Sequence, residues 1–305
     1  MFRAVLMLAG FFSFLSGCSI GNPYKKKNGK WFYDDYEIPD VKGKFQPLNN
    51  RCAKDDSTGF YRGSTGFESD GRSFAALDIH YAKDARRVFY CDTYRDGQEY
   101  FFYKHNRINT IREADAASFV LLDGSYAKDK NLVFCGGVPF PVADIASFEV
   151  LENGFTRDKV QGYYNEKPVS GSDGKTFTSV ASHYAKDVKN VYYCFLDFNN
   201  PDAVSKISCS VIPGARPDSF QVLEGGYAKD DQHVFFNKNQ LSINADGFEL
   251  LTRGYARSGN AILYDGIAVK NADAATFSVV EPLTDDSTDA RDASGRFSAG
   301  KKIRE

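Results

Sequence analysis

One phrase recurs along this chain: "HYAKDARRVFYC" at 80–91, "SYAKDKNLVFC" at 125–135, "HYAKDVKNVYYC" at 183–194 and "GYAKDDQHVFF" at 226–236. A chain that repeats itself at a near-constant interval is constrained to stack copies of one small unit. With the Tyr of "YAKD" as position zero, copies start at Tyr24, Cys52, Tyr81, Tyr126, Phe155, Tyr184, Tyr227, Tyr255 and, in worn form, Asp289. The steps are 28, 29, 45, 29, 29, 43, 28 and 34 residues. The two longest steps carry insertions, at about 92–108 and 195–211.

Certain slots hardly change. Position +2 is basic in all nine copies, and position +3 is Asp in seven. Position +8 is Phe, Tyr or Leu throughout, as in Phe89, Tyr192 and Leu263. Position −7 is Phe in seven copies, from Phe45 to Phe248. These slots read as strand, turn, strand. Runs such as "SFEVLENG" end in turn residues, "KDxxx" reverses the chain through its Asp, and Asp265-Gly266 marks a two-residue hairpin. Asp at the head of "ADAASF" (114–119) and "ADIASF" (143–148) predicts a brief helical joint.

Consecutive apolar residues such as Val191, Tyr192 and Tyr193 leave neither face of the strand polar, so both must be covered. A unit of about 28 residues supplies no such cover alone. The expectation is all-β: an elongated, solenoid-like array of about nine β-hairpin units with short helical joints. A β-propeller is the alternative, although its blades take about 40–45 residues.

The stretches "KDVKNVYY" and Asp129-Lys130-Asn131 resemble the DKNYY family of bacterial repeat proteins. The resemblance spans residues 24–280 and implies a bacterial, often exported protein with no defined activity and no catalytic residues to carry over. Residues 281–305 depart from the pattern and read as a degenerate ninth repeat or a polar tail.

The first residues, "MFRAVLMLAGFFSFLSGC", join Arg3 to an apolar run of signal-peptide length, too short to span a bilayer. Leu15-Ser16-Gly17-Cys18 resembles the lipobox of bacterial lipoproteins. That resemblance implies a signal peptide at 1–17, acylation of Cys18, a short tether at 18–23, and membrane attachment through the acyl chains. Ser19, not Asp, implies sorting to the outer membrane.

Motifs for chemistry are sparse. Gly174-Lys175-Thr176 mimics the end of a phosphate-binding loop, but Val169 stands where its first glycine belongs, and the stretch fits the repeat. The histidines lack the spacing of ligands or triads, and single turn carboxylates rarely supply six oxygens to calcium. No metal site, cofactor or catalytic residue is therefore expected. A net charge of −2 gives no field for nucleic acid.

Two surfaces remain candidates. Stacking in register would align Lys54, Lys83, Lys128, Arg157, Lys186 and Lys229 as a strip for a polyanion such as an acidic glycan. Each is more simply a solvated charge covering aromatic rings and neutralised by the adjacent Asp. The first insertion offers Tyr94, Tyr100, Phe101, Phe102 and Tyr103 as a partner edge, or as an extra hairpin packed on the array. In an oxidising envelope Cys194 and Cys209, which bracket the second insertion, are the expected disulfide, with Cys52 and Cys91 as a further pair. The expected function is that of a non-enzymatic envelope lipoprotein acting as a binding or structural module. A secreted effector or immunity-type protein, or an envelope hydrolase, is the alternative.

Overall fold

The computed structural model describes residues 22–64, 66–197, 206–280 and 288–303. The expected signal peptide and Cys18 lie outside the described residues. The chain packs as two bodies, one running to Phe119 with Gly136–Val138 added, the other comprising Val120–Cys135 and everything from Pro139 onward.

Among the described residues the fold is all-β: nine small antiparallel sheets, two of three strands and seven of four, none closed into a barrel. Each sheet is one copy of the repeat. In the fifth, Glu149–Val150 pairs with Phe155–Arg157, which pairs with Gly162–Tyr164, which pairs with Lys167–Pro168. The connecting turns follow from the sequence slots. The amide at −4 donates to the carbonyl at zero, as Leu151 does to Phe155 at 2.9 Å. The amide of the +3 Asp donates to the +6 carbonyl, as Asp158 does to Gln161 at 3.0 Å. Positions +10 and +11 form the two-residue hairpin, with positive φ at Asp265 and Gly266. That conformation suits Gly, Asn and Asp.

The joints are tight turns, not helices. At Asp115 the carboxylate accepts both the Ser118 amide and its hydroxyl, at 2.9 and 2.6 Å. This closes one turn, and a strand begins two residues later, at Val120. The one helical element among the described residues is the 3₁₀ turn Gly97–Glu99, inside the first insertion.

Each core is assembled from two consecutive repeats. In the first body Tyr24, Tyr33 and Ile38 close on Phe45, Ala53 and Phe60, and Cys52 and Tyr61 on Phe74, Ala82 and Phe89. In the second body Phe155 and Tyr164 close on Phe177, Ala185 and Tyr192, and Tyr255 and Ile262 on Phe277, Ala290 and Phe297. The ring at zero meets the ring at +9 edge to face and then the Phe that opens the next repeat, at 5.0 and 5.8 Å for Tyr184 with Tyr193 and Phe220. Such pairs add to the burial itself. No repeat holds a complete core of its own.

The tail enters this scheme. Ser278–Val279 pairs with Ala290–Asp292, which pairs with Gly295–Ser298, which pairs with Lys301–Lys302, as the ninth sheet, with Phe297 fully buried. Its opening aromatic is Phe277, displaced from the −7 slot because this step of the repeat is longer.

Candidate functional site

The repeated charges serve the joints. The +3 carboxylates of Asp55, Asp84, Asp129, Asp158, Asp187 and Asp230 are only 1–4% exposed. For Asp187, Oδ1 accepts the amides of Lys189 and Asn190, both at 2.8 Å. Its Oδ2 accepts the amide of Asp173 at 2.8 Å and the hydroxyl of Tyr192 at 2.7 Å. Asp158 repeats the arrangement with Val160, Gln161, Asp144 and Tyr163. One carboxylate thus clamps its own turn and the joint preceding it. Burial raises the pKa of Asp187, but the amide and hydroxyl donors outweigh it and hold the group below the usual carboxylate range.

The basic row reaches forward into the following joint. Lys54 Nζ donates to Arg72 and Phe74 carbonyls at 3.3 and 2.9 Å. Lys83 binds those of Ala116 and Phe119, and Lys128 those of Ile145, Ala146 and Phe148. Arg157 binds Lys175 and Phe177, and Lys186 binds Pro217. These cations are half-buried and occupied by carbonyls, the geometry of a cross-repeat strut. Lys229 makes no such bond among the described residues, and its following joint reads Asn244-Ala245-Asp246-Gly247-Phe248. There it lines an open cleft with Ser219, Gln221 and Asp246.

Both insertions lengthen the hairpin at +10. In the first body strands Val88–Tyr94 and His105–Ile111 pair continuously, with Tyr94 opposite His105 and Val88 opposite Ile111. In the second, Val191–Leu196 pairs with Ile207–Val211, setting Cys194 directly opposite Cys209, and a disulfide joins them. Residues 198–205 of that insertion lie outside the described residues. Cys52 and Cys91 are free thiols buried in one shared core cluster.

A role the sequence did not announce belongs to the histidines. His80 and His183 precede position zero in just the two repeats that carry insertions. Nδ1 of each lies 2.9 Å from the carbonyl at +10, Cys91 or Cys194. Each ring also packs on the Tyr at +9. They secure the point where other repeats turn back. Their coincidence with the long steps was the available signal. Gly174, Lys175 and Thr176 lie in an ordinary joint, where the Thr176 hydroxyl donates to Asp173.

The aromatic edge is the exposed feature. Tyr94 is 41% exposed, Tyr100 53%, Phe101 82%, Phe102 79% and Tyr103 59%. The hairpin is held from within. Glu99 meets His105 at 2.9 Å and Asp92 meets Arg107 at 3.4 Å. Arg95 lies over the Tyr100 ring and donates to its carbonyl. The amides of Tyr100, Phe102 and Tyr103 donate to carbonyls within the turn. At its base Asn106 donates to the Tyr61 carbonyl at 3.1 Å.

No curated protein and no solved structure matches the chain. A family model does: the DKNYY family, over residues 91–167 and 155–299, which together take in more than half of the sequence. The carboxylate clamps from Asp129 to Asp230, the struts from Lys128 to Lys186 and the aromatic cores of the second body lie within that match, and the chain belongs to the DKNYY family.

Proposed function

We propose that this protein is a non-enzymatic lipoprotein of the bacterial envelope, anchored through Cys18 to the outer membrane, which presents its first hairpin as a binding edge. The observation that carries the reading is a division of labour. The repeated polar groups, Lys229 apart, are consumed in joining one repeat to the next, whereas five aromatic side chains at one hairpin are 41–82% exposed. An acid–base pair drawn from the repeat Asp residues would need a carboxyl held near neutrality; Asp84, Asp158, Asp187 and Asp230 are held low instead, their donors outweighing burial.

Metabolic labelling with a palmitate analogue tests the anchor. Label in the native chain, its loss in Cys18→Ser, and precursor accumulation under globomycin are the expected results. An unlabelled chain released into the medium would favour the effector reading.

A further inference from the structure

We infer that the tip of the first hairpin, Tyr100-Phe101-Phe102-Tyr103, inserts into the interfacial region of a phospholipid bilayer. The inference rests on the anchoring reading and names the partner of its binding edge.

The Phe101 and Phe102 rings are 82% and 79% exposed. Two outward Phe side chains flanked by two Tyr place apolar rings at the apex and amphipathic rings beside them, matching the apolar-to-wet gradient of a membrane interface. Insertion requires that polar groups carried inward already have partners. The amides of Tyr100, Phe102 and Tyr103 are bonded within the turn. The carboxylates of Glu99 and Asp92 are paired with His105 and Arg107. Arg95 stays beside Tyr100, and Lys104 follows the last ring. These cations suit anionic headgroups, while Asp96 is the acid of the tip without a cation partner among the described residues.

Chain length keeps the first body close to the bilayer. Three residues separate Cys18 from Asn22, where the described first body begins. An acyl group on Cys18 would therefore hold that body within about 14 Å of the membrane, at roughly 3.5 Å per extended residue. The tip belongs to the same body.

The test uses the full chain carrying Phe102→Trp, bound to vesicles of phosphatidylethanolamine and phosphatidylglycerol with brominated acyl chains. Emission is compared with the unsubstituted chain, whose one Trp is Trp31. The expected result is a blue-shifted emission from position 102 that brominated lipid quenches at least about twofold more than the Trp31 background. Paired Phe101→Ser and Asp96→Lys versions of this reporter should then lose and gain quenching respectively. Because Phe102 is largely exposed, the substitution leaves the core intact, and an unchanged melting temperature verifies it. Emission at 102 that stays solvent-like and unquenched on bound vesicles overturns the inference, as does burial of that position by a protein in lipid-free extract. Failure of palmitate labelling would instead sink the anchoring reading, since the quenching reports only where position 102 lies.

Discussion

Gly266 lies so close to Phe236 that a Cβ added to it would stand 2.6 Å from the Phe236 Cβ, at a backbone φ of +77°. The same approach recurs where Gly300 meets Tyr264 and Gly137 meets Tyr90, each at 2.6 Å. The glycine at +11 is thus the surface on which the preceding repeat's +9 ring rests. Its amide is also claimed by the ring at zero: Gly266 N–H donates to the Tyr227 hydroxyl at 2.9 Å. Gly266→Ala combines strain at positive φ with overpacking, and should destabilise by about 2–4 kcal/mol in urea unfolding. Tyr227→Phe, which orphans that amide and removes the hydroxyl's own bond to the Gly254 carbonyl, should cost about 1–2 kcal/mol.

Acid should dissolve the clamps together. Asp55, Asp84, Asp158, Asp187 and Asp230 are desolvated, yet their hydrogen-bond donors hold them below ordinary carboxylates. As pH falls, the unfolded chain takes up protons first. The stabilisation is therefore complete above the unfolded value of about 4 and is lost as pH drops through the lower folded values. Melting temperature should be level between about pH 5 and 7 and fall steeply below about pH 4. Asp187→Ala should remove about 3 kcal/mol at neutral pH and make the acid limb shallower.

Thiol reactivity should report folding. Burial raises the Cys52 thiol to about 12 and Cys91 further still. The half-buried Cys135 is raised to about 12 by burial and by its contact with the Glu166 carboxylate. Alkylation near pH 8 should be about a thousandfold slower than for a free thiol, because so little thiolate is present. All three should react together once the chain unfolds in denaturant. Rapid native labelling of Cys135 would contradict its assigned surroundings.

The Cys194–Cys209 bond spans 15 residues. Its removal in Cys194→Ala/Cys209→Ala should cost about 3 kcal/mol by the loop-closure argument. His183→Ala, which frees the Cys194 carbonyl, should cost about 1 kcal/mol. The paired variant adds little further loss if the disulfide and the histidine secure the same peptide.

Much of this was legible because the repeat exposes its own rules. Slots at −7, zero, +3 and +8 are fixed by packing and turn chemistry, so the strands, the turns and the stacking logic follow from them. The partner of each charge was harder to see. Lys128 reads as a surface cation until its joint folds back and presents the carbonyls of Ile145, Ala146 and Phe148, 17 to 20 residues onward. The helical joints failed for a related reason: the Asp side chain completes a single turn, and the next strand leaves no room to propagate one. Phe277 escaped notice because its constant spacing runs forward from Tyr255, 22 residues before it, instead of back from the worn ninth copy. Exposure at Phe101 and Phe102 is a tertiary fact, since a ring in an insertion looks the same whether covered or bare.

The central claim is that each repeat completes its core only with the next, so that one whole copy is removable and a fraction of one is not. Excising residues 227–254 joins Gly226 to Tyr255 and brings Phe220 into register as the opening ring for that repeat. Excising 227–240 removes half a copy and leaves the register broken. The most direct measurement is urea unfolding of the two deletion variants followed by far-ultraviolet circular dichroism. The account predicts a cooperative transition close to that of the parent chain for the whole-repeat deletion, and loss of folded second-body signal for the half-repeat deletion. Equal damage from both would contradict it.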